Sequence, residues 1–290
     1  MCFLLSVIRW DYSKILYSSD KWHVNISWYG VCFAVGVLMA YAFGLRLASN
    51  VYEESKNYCC TKARFLEILE NYGLYSLLFI IPGARIAYVL FYGGKFYFDH
   101  PWEIIKIWHG GLSSHGGIAG LLLWTIIFSY AYAKRIPILT FFFLTDLCAS
   151  VFGYTAFLIR IGNFINQEIV GTPTSLPWGI IFSNPMQGII GVPVHPVQLY
   201  EGVAYFILST VLYVLSYNCI FRLGSGFATS IACMGVAIIR FFAEFLKTHQ
   251  GNVVSEFSFL TIGQLLSIPL FLFGLCLGIF CLLFNRNRCS

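Results

Sequence analysis

Five side chains able to bind or polarise a substrate crowd into one stretch: Arg160, Asn163, Asn166, Gln167 and Glu168. They belong to the run Arg160-Ile161-Gly162-Asn163-Phe164-Ile165-Asn166-Gln167-Glu168-Ile169-Val170-Gly171, which sits between two long apolar segments. In hydrocarbon such groups are costly unless they line a wet or protein-walled cavity, so the run reads as a functional site. The plainer alternative is an interfacial loop whose amides satisfy free backbone groups. Arg240 and Glu244 stand four apart on one helical face, with Lys247 continuing the stripe, and form either a simple ion pair or part of an anion site. Two guanidinium groups, Arg160 and Arg240, suit a phosphate because their planar forks bind its oxygens bidentately. Arg85, in Gly83-Ala84-Arg85-Ile86-Ala87-Tyr88, adds a third, and the expected ligand is a phospholipid headgroup.

His115 lies in His109-Gly110-Gly111-Leu112-Ser113-Ser114-His115-Gly116-Gly117-Ile118-Ala119-Gly120. Gly116 and Gly120 are spaced for close helix packing, which accounts for the glycines and not for the histidine. An imidazole there can act as a base near neutrality. His195-Pro196-Val197-Gln198-Leu199-Tyr200-Glu201 opens another helix, with Pro196 in a first-turn position and Glu201 one turn in, seeking a cationic or hydrogen-bonding partner. Asp146, far from these groups, reads as a structural partner for a neighbouring helix. No HExxH motif or histidine pair at helical spacing suggests a metal.

The elements that must position these residues are membrane helices. Of 290 residues, 58% are hydrophobic and 11% charged, with a mean hydropathy of +0.75, far from a soluble domain. Seven apolar runs are long enough to cross a bilayer, which takes about 20 residues each: Ile26–Leu47, Tyr72–Tyr92, Leu112–Tyr132, Ile138–Ile159, Leu199–Ile220, Phe227–Leu246 and Phe259–Phe284. The expected fold is an all-α polytopic membrane protein with a small external cap. Residues 1–25 form an outer tail, residues 26–285 the seven-helix transmembrane domain with the outer cap at 161–196, and residues 286–290 a cytoplasmic tail.

The net charge of +5 is scattered between apolar runs and is a topology signal rather than a nucleic-acid patch. Arg46, Lys56, Lys62, Arg64, Lys134, Arg135, Arg222, Arg286 and Arg288 share one side, which places the C-terminus in the cytoplasm and the N-terminus outside. This topology gathers Tyr29, Arg85, His115, Arg160, Asn163, Glu168, His195, Glu201, Arg240 and Glu244 in the outer half of helices or in outer loops. Asp146 is the exception. Six of the ten cysteines fall in apolar segments, and Cys59-Cys60 in a cytoplasmic loop, so no structural disulfide is expected.

These blocks together resemble the bacterial phosphatidylglycerol–prolipoprotein diacylglyceryl transferase family. Its signature is Arg-x-Gly-Asn-Phe-x-Asn-x-Glu-x-x-Gly, and Arg160 to Gly171 fit every specified position. Trp28-Tyr29-Gly30, Gly83-Ala84-Arg85, the glycine-rich run through His115, Asp146, Pro173-Thr174-Ser175-Leu176-Pro177-Trp178-Gly179 and His195 to Glu201 follow in the same order. The resemblance implies seven transmembrane helices with a periplasmic head, in the inner membrane. It also implies transfer of a diacylglyceryl group from phosphatidylglycerol to the lipobox cysteine of a preprolipoprotein, with glycerol 1-phosphate released.

The nucleophile then belongs to the substrate, and no metal or organic cofactor is required. His115 would be the base, Arg160 and Arg240 would stabilise the leaving phosphate, and Glu244 would orient Arg240. Tyr29, Asn163, Glu168 and Gly171 fall at positions that bind lipid or shape the site; Arg85, Tyr88, Asn166, His195 and Glu201 complete the expected set. Departures are Ile159 where the family has Gly, Met234-Gly235 where it has a Tyr-Gly nearer the membrane Arg, and Lys247-Thr248-His249-Gln250 where it tends toward Arg-x-Pro-Asp. No role is carried to Lys247.

Two other classes suit parts of this pattern. A transporter or flippase of an anionic lipid would also use membrane arginines, but needs a path polar on both sides, and the halves show no inverted repeat. A lipid phosphatase would need a hydroxyl, carboxylate or metal-assisted nucleophile.

Overall fold

A computed structural model describes residues 8–19, 24–54, 60–107, 110–132, 134–188, 190–248 and 260–286. Expectations resting on His109, Cys59, Lys56 and Arg288 lie outside the described residues. In chain order the elements are β1 (Ile8–Trp10), β2 (Ile15–Ser19), β3 (Val24–Ser27), α1 (Trp28–Glu54), α2 (Lys62–Phe91), a short α3 (Phe96–Asp99), α4 (Ser114–Tyr132), α5 (Phe141–Ile165), β4 (Ile180–Phe182), α6 (Val197–Tyr217), α7 (Phe227–Glu244) and α8 (Ile262–Arg286). Seven of these helices are long and apolar enough to cross a membrane.

The observed helices differ most from the apolar runs at α2, which begins at Lys62 where the sequence suggests a loop as far as Glu70. Apolar runs measure hydrocarbon thickness, whereas a helix continues as long as it has a face to bury. Phe65, Ile68, Leu69 and Tyr72 supply that face at helical spacing. Thr61 caps the new start by accepting from the Arg64 N–H at 3.4 Å.

The chain divides into two compact units, Leu45–Thr145 and the remainder. In the first, α2 packs on α4 through glycines. A Cβ on Gly116 would overlap the Gly83 carbonyl, and one on Gly120 would overlap the Phe79 carbonyl. This is the small-residue crossing expected of membrane helices, where backbone approach replaces hydrophobic drive. One end of the crossing is fastened by the Tyr72 hydroxyl and Thr125 Oγ1 at 2.7 Å and by Trp124 Nε1 donating to the Tyr72 carbonyl at 2.9 Å.

In the second unit, Gly153 lets α5 approach the Tyr205 carbonyl of α6, and Gly36 lets α1 approach Thr155 of α5. Ser230 of α7 donates to the Gly274 carbonyl of α8 at 2.8 Å. The start of α7 is held by Asp146, which is fully buried on α5. Its Oδ2 accepts from the N–H groups of Gly224 and Gly226 at 3.0 and 2.8 Å, and its Oδ1 from the Thr229 N–H and hydroxyl at 2.9 and 2.7 Å. Asp146 therefore caps a neighbouring helix, the structural role its position suggests.

The stretch between α5 and α6 is more regular than a loop. Residues around Gly171 bridge to Lys247, Pro173 and Ile180 both bridge to Val194, and β4 pairs in parallel with β1. Trp10 from β1 packs on Phe164 at 4.6 Å, joining a small core of Phe164, Val170, Ile180, Phe182 and Val194. Residues 8–10 of the expected peripheral tail are thus a strand of the cap.

Replacing Asp146 with Ala leaves buried backbone donors without an acceptor, so the unfolding midpoint in detergent should fall, by about 3 kcal/mol of stability or more. Asp146→Asn keeps one acceptor oxygen and should lose less.

Candidate active site

The polar run gets its shape from the way α5 ends. Gln167 adopts φ 58° and Ile169 φ 55°, a left-handed conformation that is unusual for a non-glycine residue and strained for a β-branched one. The Glu168 N–H donates to the Asn163 carbonyl at 2.9 Å and the Gln167 N–H to the Phe164 carbonyl at 3.0 Å. These two bonds are those of a Schellman turn, which satisfies the last carbonyls of the helix and reverses the chain. The reversal lays Glu168 back over α5. Asn163 Nδ2 then donates to Glu168 Oε2 at 2.9 Å, and Asn166 Nδ2 to Glu168 Oε1 at 3.0 Å. Gln198 of α6 holds the same turn, donating to the Glu168 carbonyl at 2.6 Å.

Arg160 is one turn before Asn163 and shares its face. Its Nη1 donates to Asn163 Oδ1 at 3.2 Å, and its Nη2 lies 2.7 Å from Glu201 Oε2. Gly202 eases the close approach of α6, since a Cβ there would stand a crowded 3.1 Å from the Arg160 Cβ. Glu201 has no exposed side-chain surface, and its other oxygen is 2.8 Å from Lys247 Nζ. Lys247 also reaches Glu244 Oε2 at 3.2 Å. The result is an alternating series, Arg160, Glu201, Lys247, Glu244, joined through Asn163 to Glu168. Tyr205, buried one turn beyond Glu201, accepts a hydrogen bond from Arg160 and feels the charges of Glu201 and Arg240. Tyr29 packs on Gly162, whose Cβ would come within 2.9 Å of its ring, in the field of Glu168 and Arg160.

Gly171 and His195 meet in the cap. The Gly171 N–H donates to the His195 carbonyl at 3.1 Å, and a side chain on Gly171 would overlap His195. The Tyr200 hydroxyl accepts from Trp178 Nε1 at 2.7 Å and stands 3.4 Å from His195 Nδ1.

His115, Arg85 and Tyr88 belong to the other unit. His115 is exposed as the second residue of α4. Arg85 is buried, and its guanidinium closes a loop: Nε donates to the Ile104 carbonyl at 2.9 Å, Nη1 to those of Gly110 and Gly111, and Nη2 to those of Glu103 and Lys106. Tyr88 packs on Gly111, where φ is 75° and a Cβ would strike its ring at 2.5 Å. Arg85 and Tyr88 thus shape the backbone leading to His115. All the guanidinium N–H directions of Arg85 face carbonyls.

Residues 19–280 match a family model described as prolipoprotein diacylglyceryl transferase. The chain belongs to this family. It is 60% identical to a protein of Chlamydia caviae over all of this chain and 98% of that one, and 59% identical to one of Chlamydia pneumoniae over 99% of both. A Chlamydia trachomatis serovar D relative is 50% identical over 92% of this chain and 96% of its own. All three bear the name phosphatidylglycerol–prolipoprotein diacylglyceryl transferase.

Within this family member the structure brings Arg160, Asn163, Asn166, Glu168, Glu201 and Glu244 into one network, with Tyr29 against it. The ion pair recorded for Glu244 is with Lys247, not with Arg240. Lys247 and Tyr205 were missed from sequence. The available signal for Lys247 was its place three residues after Glu244, on the stripe that begins at Arg240.

If Arg85 acts by closing the 103–111 loop, Arg85→Lys should speed amide exchange in that loop and lower stability by about 1–3 kcal/mol, the scale of buried carbonyls losing their donors. A residue serving only as a lipid contact would leave exchange in the loop unmoved.

Proposed function

We propose that this protein transfers the diacylglyceryl group of phosphatidylglycerol to the thiol of a lipobox cysteine in a preprolipoprotein, the first step of bacterial lipoprotein maturation. The carrying observation is the Arg160 guanidinium, held at the end of a membrane helix by Asn163 and Glu201 and built on the family signature. In the reaction the thiol sulfur forms a bond to the glycerol carbon of the lipid while the carbon–oxygen bond to phosphate breaks. The thiol proton passes to a base, the product is a thioether, and glycerol 1-phosphate leaves.

His115 is the base we assign, since an ordinary thiol is only slightly ionised at neutral pH. Arg160 and Arg240 stabilise the charge that grows on the leaving phosphate, in surroundings where low dielectric strengthens the attraction. Asn163, Asn166 and Glu168 hold the Arg160 side of the site, Tyr29 lines it, and Gly171 with His195 supports the cap above it. The polar network lies at the C-terminal ends of α5 and α7 and the N-terminal end of α6, a single end of that unit, which suits chemistry at one membrane face better than passage across it. The protein resides in the inner membrane with its N-terminus and cap on the periplasmic side and its C-terminus in the cytoplasm; reporter enzymes fused to the C-terminus should be active only in the cytoplasmic form.

Purified protein with phosphatidylglycerol should add one diacylglyceryl mass to a lipobox peptide, and none to a peptide with Ser in place of Cys. His115→Ala and Arg160→Ala should each lower the rate by about 100-fold or more while retaining a cooperative unfolding transition. Phosphate release without peptide modification would instead indicate a phosphatase.

A further inference from the structure

Lys247 is the one residue of the charged network to which neither the motif pattern nor the family resemblance gives a role. Its side chain is only 9% exposed, and its ammonium lies between two carboxylates, 2.8 Å from Glu201 and 3.2 Å from Glu244. It follows the last turn of α7, where its backbone is tied to the polar run. Residues 171 and 247 form a bridge, the Thr172 N–H donates to the Leu246 carbonyl at 2.8 Å, and the Thr248 N–H donates to the Val170 carbonyl at 3.1 Å. The Thr248 hydroxyl adds a bond to the Gly171 carbonyl at 2.7 Å. The ammonium is therefore delivered to Glu201 by a backbone that is itself part of the site's wall.

The arrangement decides how Glu201 meets Arg160. A buried carboxylate facing a lone guanidinium closes on it with both oxygens, because the two planar forks match. That geometry would occupy two guanidinium N–H groups and cancel most of the positive charge. Here Lys247 takes Oε1, so Glu201 offers Arg160 a single oxygen, Oε2. The charge of Glu201 is shared between two cations, so Arg160 keeps part of its positive bias and has N–H groups beyond those turned toward Asn163, Glu201 and Tyr205.

We propose that Lys247 is a positioning residue: by holding one oxygen of Glu201, it keeps the Arg160 guanidinium open for the phosphate of the lipid substrate. This inference rests on the functional reading above, in which Arg160 meets that phosphate. Lys247 itself touches neither the lipid nor the thiol.

The test is a set of steady-state measurements on the full-length protein in phosphatidylglycerol-containing micelles, with a lipobox peptide as acceptor. Lys247→Met should reduce kcat/KM for phosphatidylglycerol by about 10- to 100-fold, the scale of one charge-assisted hydrogen bond, with the KM for peptide unchanged. Lys247→Arg, which can also hold one carboxylate oxygen, should restore most of the loss. Adding Glu201→Gln to Lys247→Met should recover part of the lipid defect, since a neutral amide does not close on Arg160, and this double variant also removes the unpaired buried charge that could unfold the single one. Near-normal lipid kinetics in Lys247→Met would overturn the inference, as would losses that add in the double variant or that fall equally on peptide and lipid in step with a lowered unfolding midpoint. An inactive wild type would overturn the functional reading and this inference together, whereas an active wild type with an indifferent Lys247→Met overturns the inference alone.

Discussion

A guanidinium at the end of a membrane helix needs acceptors or anions beside it, and the larger unit meets that need for Arg160 with carboxylates. Charge in low dielectric is expensive unless paired, and a pair is useful for catalysis only if some of its charge stays available. Glu201 reaches Arg160 because Gly202 and Gly153 let α6 lie against α5 at close range. Glu168 reaches the same face because the α5 terminus turns back on itself. The glycines and the strained turn are thus the geometric conditions for an electrostatic arrangement.

Asp146 shows the opposite use of similar chemistry. Like Glu201 it is a buried carboxylate, but its two oxygens are filled by backbone N–H groups and one hydroxyl at the start of α7. It organises a helix junction and, among the described residues, faces no cation. Arg85 is its counterpart among the cations, with its donors turned onto carbonyls of one loop. Buried charge alone therefore does not identify a reactive group in this protein. What distinguishes Arg160 is that its carboxylate partner, Glu201, is itself shared with a second cation, Lys247.

Much of this was legible from the sequence, for identifiable reasons. Seven apolar runs became seven helices because the hydrocarbon thickness sets a length that composition displays directly. Gly116 and Gly120 announced the α2–α4 crossing by their spacing, and Asp146 its structural role by its isolation. The Arg160–Glu168 run was visible because its polarity contrasts with its surroundings. The extension of α2 back to Lys62 was hidden by charged residues on its other face, and the cap strands by their three-residue length, too short for alternation to register. Lys247 was hidden for a different reason: its partner Glu201 is distant in sequence, and only the approach of α6 and α7 makes them neighbours. Arg85 is a different case: charge and depth suggest a ligand contact, and the fold turns its donors onto loop carbonyls.

The parallel pairing of β1 with β4 has a consequence for how the protein is made. Residues 8–10 emerge first from the ribosome, yet their partner, residues 180–182, follows only after α1, α2, α4 and α5 have been synthesised. Until then the edge of β1 lacks its β4 partner, although Phe164 of α5, on which Trp10 packs, is already made. This β1–β4 pairing is therefore a late product of biogenesis, and a nascent chain stalled before β4 would hold its inserted helices without it.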